Sequence, residues 1–184
     1  MIVVIDPGVA IKWFVEEPLR AQARSLLVHR HEVVAPDILI AGVAELAWKK
    51  TVAGEIAPDQ AEPIVRNIGL PAFISAFVES TRLRNRALAL ALQCGRPVHD
   101  CFYAACAEAV GAPLISSDET FLQALRLEGI ALRGVALARI HELEHIPAGW
   151  TQPAGMCPAN QKKSGARVSD GMEPLAVPSH RKPL

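Results

Sequence analysis

The chain has 184 residues, enough for one domain of ordinary size with a real hydrophobic core. Hydrophobic residues make up 51% and charged residues 21%, which excludes a disordered, purely solvating chain and leaves a globular one. Formal net charge is zero, so affinity for a polyanion must come from a local patch or a bound cation, not from a bulk basic excess.

Val3, Val4 and Ile5 lie in the apolar run 1–5, as in a strand buried on both faces of a parallel sheet. Asp6 closes that run, and Pro7 suits the first turn of a short helix over about 8–14 with Asp6 as its cap. A second helix is predicted over 18–31, with Leu19, Ala23, Leu26 and Leu27 along one face. Residues 32–35 read as a short strand. Pro36 and Asp37 then start a long helix to about Val52, with Gly54 just past its end. Another helix covers 58–67, stopped by Gly69 and Pro71, and 72–75 is expected as a short strand.

Residues 79–94 are helical, with Leu83, Ala87, Leu90 and Ala91 at helical spacing. Behind the break Gly95-Arg96-Pro97, Asp100 opens a helix over 101–110. After Gly111 come a strand over 113–117, Asp118, a helix over 119–128 and a last strand over 130–132. Strands alternating with helices predict a three-layer α/β/α fold around a central, mostly parallel sheet. From about Gly149 the periodicity ends among prolines, glycines, serines and lysines. One folded domain is therefore expected over 1–146 and a disordered, solvated tail over 147–184.

No apolar run approaches the ~20 residues needed to span a bilayer, and the N-terminus lacks the basic start and longer apolar stretch of a signal peptide. The expected location is the cytoplasm. There Cys94, Cys101, Cys106 and Cys157, which lack CxxC spacing, are expected to be reduced structural thiols. Trp13 and Phe14 read as core or partner-interface aromatics, and Phe102 and Tyr103 as packing. His99 reads as a helix-boundary residue, with donation to a phosphate as its alternative, and Lys12 and Arg96 as solvated surface cations, with attraction of phosphates near a pocket as theirs.

Three aspartates, Asp6, Asp100 and Asp118, each stand where one element ends and the next begins. Taken singly, each reads as a helix cap. In a parallel α/β sheet, however, ligands collect outside the carboxyl ends of the strands, where acids distant in sequence meet. Two carboxylates ~5 Å apart repel by roughly 3 kcal/mol at an effective dielectric near 20. Such a trio stays ionised only around a cation, and oxygen-only ligands favour Mg²⁺ or Mn²⁺.

The segments IVVIDPGVAIKWFVEEP, APDILIAGVAELAWKK and RPVHDCFYAACAEAVGAPLISSDETFL, in that order and at that spacing, resemble the PIN-domain family. Within it they resemble the VapC-type toxins of bacterial toxin–antitoxin pairs. The resemblance covers about residues 1–145. It implies a Mg²⁺- or Mn²⁺-dependent endoribonuclease that forms a homodimer, cleaves RNA and is held inactive by a cognate antitoxin. It also implies that Asp6 is the first metal-binding acid, Asp100 the next to last and Asp118 the last, with the Ser116 hydroxyl orienting the first carboxylate.

One position departs from that pattern. Where the family places a glutamate in the long helix, this chain has Gly42, and Glu45 follows one turn later on nearly the same face. Glu45 is thus a candidate replacement ligand, and Gly42→Glu is expected to raise activity if the missing carboxylate is limiting. The alternative is a catalytically impaired PIN-fold module that binds a partner or RNA without cutting. A haloacid-dehalogenase-like phosphatase would need a second aspartate two residues after Asp6, where Gly8 stands.

Overall fold

Strand β1 (Ile2–Ile5) is central because Val3, Val4 and Ile5 are apolar on both faces, and all three are fully buried. In the computed structural model, which describes residues 1–29 and 31–145, β1 pairs in parallel with β2 (Glu32–Pro36) and β4 (Leu114–Ser116). Val3 lies opposite Val33, and Ile5 opposite Ile115. Strand β3 (Ala76–Val78) adds outside β2 and β5 (Gly134–Ala136) outside β4, giving the order β3-β2-β1-β4-β5 with every pairing parallel. The architecture is the three-layer α/β/α fold that the alternation predicts.

The chain leaves β1 for β2 on one side and later returns to β4 on the other. The strand order therefore reverses between β1 and β4, and a crevice opens beyond their carboxyl ends. Asp6 and Asp118 follow those two ends. Helix α1 (Pro7–Ile11) begins at once, with Pro7 in its first turn, where the missing N–H costs nothing. Helices α2 (Arg20–Val28), α3 (Leu39–Val52) and α4 (Pro58–Ile68) flank β2 in sequence, and α5 (Ser80–Cys94), α6 (Val98–Val110) and α7 (Glu119–Leu127) follow β3. Gly95, at φ +63°, ends α5 in the left-handed region, so the chain turns directly into Arg96-Pro97 and α6.

Several boundaries differ from the sequence-based expectation. The strand expected over 72–75 lies at β3. Phe73 and Ile74 instead donate their amides back to Leu70 and plug the core, Phe73 stacking on Trp13 and Ile74 almost fully buried. Only at Ser75, whose N–H reaches the Val33 carbonyl at 2.7 Å, does the backbone come alongside β2. The strand expected over 130–132 is likewise β5, since the Ile130 amide is spent on Leu125 in closing α7. At Gly134 the bare backbone passes Leu122 so closely that a Cβ would meet its Cδ2 at 2.7 Å.

Helix α2 is shorter than the predicted 18–31, and a 3-10 segment (Leu137–His145) follows β5 where the sequence pattern predicts no element. Helix α6 starts at Val98, so Asp100 lies inside its first turn instead of ahead of it. The tail expected over 147–184, with Cys157, lies outside the described residues. Among the described residues Cys94, Cys101 and Cys106 are free thiols, and no helix is long and apolar enough to cross a membrane.

Candidate active site

Asp6 caps α1, and its Oδ1 accepts the Val9 N–H at 2.8 Å. Its other oxygen accepts the Ser116 hydroxyl, a link across 110 residues that the β1–β4 pairing makes local. Ser116 is fully buried, and its Oγ also accepts the Asp118 N–H at 2.9 Å. One hydroxyl thus ties the end of β1 to the start of α7. Burial pushes the Asp6 carboxyl up to about 6, against the Ser116 hydroxyl and the Val9 and Ser117 amides, and the Asp100 charge adds to the rise.

Removing that link is costly. Ser116→Ala leaves one Asp6 oxygen and the Asp118 N–H without their partner, and is expected to lower stability by about 1–3 kcal/mol in urea unfolding of the metal-free protein. An unchanged unfolding midpoint would show that neither bond matters.

Asp118 is the N-cap of α7. Its Oδ1 accepts the Phe121 N–H at 2.9 Å and the Thr120 hydroxyl at 2.5 Å. Its Oδ2 accepts from Arg96 Nη2 at 2.6 Å. Burial works to raise the Asp118 pKa, but the Thr120 hydroxyl, the Phe121 amide and the Arg96 charge outweigh it and hold the acid below the usual carboxylate range. The same guanidinium stands 3.9 Å from Asp100 Oδ2 and 5.8 Å over the Phe121 ring. Arg96 is therefore part of the site, whereas Lys12 is held by Glu17 at 2.8 Å.

Asp100 brings Tyr103 with it, since residues three apart share a helix face. Tyr103 is 1% exposed, and its hydroxyl is buried without a hydrogen-bond partner. Burial pushes its phenol up, with the Asp6 and Asp100 charges adding to the rise. His99 lies edge-on to this ring, with its Nδ1 3.9 Å from Asp100 Oδ1. From the sequence, Tyr103 is expected only as a packing aromatic. Its spacing from Asp100 was the available signal, but the orphaned hydroxyl could not be read from it.

Asp6, Asp100 and Asp118 all line one cleft of about 600 Å³, together with Gly42, Glu45 and Tyr103. Capping and a shared site are therefore not exclusive for Asp6 and Asp118. Gly42 is filled from across the cleft: a Cβ there would lie 2.6 Å from Pro7 Cγ and 3.2 Å from the Tyr103 hydroxyl. The pyrrolidine ring occupies the space where a side chain at 42 would begin. Glu45 reaches the cleft wall, but its carboxylate is 56% exposed and pairs with Lys49 at 3.1 Å.

Among the described residues, no set of three or more His, Cys, Asp or Glu side chains is placed to hold a metal ion. Asp118 pairs with Arg96 at 2.6 Å. Asp6 has hydrogen bonds but no close ion pair among the described residues, and Asp100 has no cationic group there nearer than 3.9 Å, so these two are the acids of the cleft left to face a cation. Two carboxylates suffice for a hydrated ion such as Mg²⁺, which keeps several waters. The donor chemistry therefore fits one divalent ion, and the unpartnered Tyr103 hydroxyl offers a donor to a water or substrate oxygen in the same cleft. No curated protein matches the chain. Residues 3–126 match the PIN domain family model, more than half of the chain, and with the parallel sheet and the acids at its switch point this makes the protein a member of the PIN domain family.

Proposed function

We propose that the protein is an endoribonuclease that cleaves RNA at the Asp6–Asp100 cleft and serves as the toxin of a toxin–antitoxin pair. PIN domains are generally metal-dependent nucleases. The observation that carries the reading is the meeting of Asp6 and Asp100 in one cleft beyond the carboxyl ends of β1 and β4. A divalent cation bound there, Mg²⁺ or Mn²⁺, would lower the pKa of a water and neutralise charge building up on the phosphate.

The chain's own residues set the geometry. Ser116 and the Val9 amide fix the Asp6 carboxylate, and the first turn of α6 presents Asp100. Arg96 and Thr120 hold Asp118 at the cleft wall, where it orients rather than reacts. The nuclease unit is residues 1–146, acting in the cytoplasm as a homodimer, with a cognate antitoxin peptide covering the cleft. An adjacent reading frame encoding a small DNA-binding protein would support that pairing.

The test is cleavage of RNA by the purified full chain with Mn²⁺ or Mg²⁺, with a chelator control and Asp100→Asn alongside. Cleavage should stop with chelator and fall by more than ~100-fold in Asp100→Asn. Equal background in both proteins would favour the second reading, a PIN-fold binding module with an impaired site. Gly42 is the feature that supports that reading.

A further inference from the structure

Resting on the metal-site reading above, we propose that Arg96 is the fixed second cation of this site, so that the cleft takes one divalent ion at Asp6 and Asp100 and not two. A pair of metal ions clamping the attacking and leaving oxygens needs carboxylates enough to neutralise both. Here the three aspartates of the cleft already have one guanidinium among them, 2.6 Å from Asp118 and 3.9 Å from Asp100. The remainder is two net negative charges, which one divalent ion balances. Glu45 does not change that count, because Lys49 pairs with it.

Two further observations point the same way. Helix α3 cannot add an acid at position 42 without displacing the ring of Pro7, whose Cγ would lie 2.6 Å from a Cβ there. The Arg96 guanidinium is also held in place, by the Phe121 ring beneath it and by Asp118, and its side chain is only 27% exposed. A second divalent ion at Asp118 would have to displace this guanidinium or sit beside it, against strong like-charge repulsion at close range. Arg96 is accordingly a positioning residue: it acts through Asp118.

The experiment is Mn²⁺ binding to the full chain, followed by equilibrium dialysis and by the electron paramagnetic resonance signal of free Mn²⁺, without RNA. Wild type should bind one ion per chain. Arg96→Gln and Arg96→Met should bind a second ion on the order of tenfold or more tighter than wild type does, and Arg96→Lys should stay at one. Asp118→Asn should keep its single ion, whereas Asp100→Asn should lose it. These two variants test the assignment even if the uncharged Arg96 variants fold poorly. A purely structural role for Arg96 would lower the melting temperature of its variants and leave the stoichiometry unmoved, which overturns the proposal. Two ions in wild type would overturn this inference and leave the nuclease reading standing; no bound ion would overturn both.

Discussion

Asp6→Asn is expected to stabilise the metal-free protein at neutral pH while abolishing RNA cleavage. The Asp6 carboxyl titrates near 6 in the folded chain, against an ordinary value of 3.8, chiefly because burial penalises its charge. Between those two values the folded state binds more protons than the unfolded one, so stability falls as pH rises. The favourable contribution is complete below about pH 4 and gone above about 6. At pH 7 the charge costs on the order of 2–3 kcal/mol. Asparagine keeps an oxygen for the Val9 N–H and carries no charge.

Urea unfolding in chelator at pH 7.5 should therefore show Asp6→Asn as the more stable protein, with the difference vanishing near pH 4. Mn²⁺ should restore wild type toward the variant and leave the variant unmoved. Equal stability at pH 7.5 would mean that the carboxylate is not strained by its surroundings. Loss of cleavage without that gain would reduce Asp6 to a cap whose removal disturbs α1.

Gly42→Glu is expected to lower activity and stability together, contrary to the simple expectation that a restored carboxylate helps. Helix propensity favours the change by about 1 kcal/mol. The Cβ, however, would stand 2.6 Å from Pro7 Cγ and 3.2 Å from both Pro7 Cβ and the Tyr103 hydroxyl. Overpacking of this kind costs about 1–3 kcal/mol, and a proline ring cannot rotate away. Pro7 is also the residue after Asp6, so relief by moving the ring shifts the candidate ligand itself.

The paired variant Pro7→Ala with Gly42→Glu should recover most of the loss. Its interaction energy in a double-mutant cycle should be about 1 kcal/mol or more, measured by thermal unfolding and by RNA cleavage. Additive effects of the two changes would show that Pro7 and position 42 do not compete for the same space. Greater activity in Gly42→Glu alone would show that the ring yields easily and that the missing carboxylate is the limiting feature.

Much of this molecule is written locally. The Val3-Val4-Ile5 run, apolar on both faces, has no place but the middle of a parallel sheet. The alternation of strands and helices then puts the switch point beside it. Asp6 and Asp118 were legible as strand-end acids because a cap and a strand end are both short-range features. The edge strands were not. β3 and β5 have only three residues each, and their placement depends on where the backbone meets β2 and β4, which no local preference encodes.

The finer make-up of the cleft was likewise decided only by tertiary contact. The bond between Ser116 and Asp6, the ion pair of Arg96 with Asp118 and the ring of Pro7 over Gly42 all join residues from different elements. Sequence spacing placed Tyr103 on the face of Asp100, but only the packed structure leaves its hydroxyl without a partner. Side-chain periodicity follows from the backbone of a single element, whereas charge neutralisation and steric exclusion depend on distances between elements, and those exist only once the sheet and helices have packed.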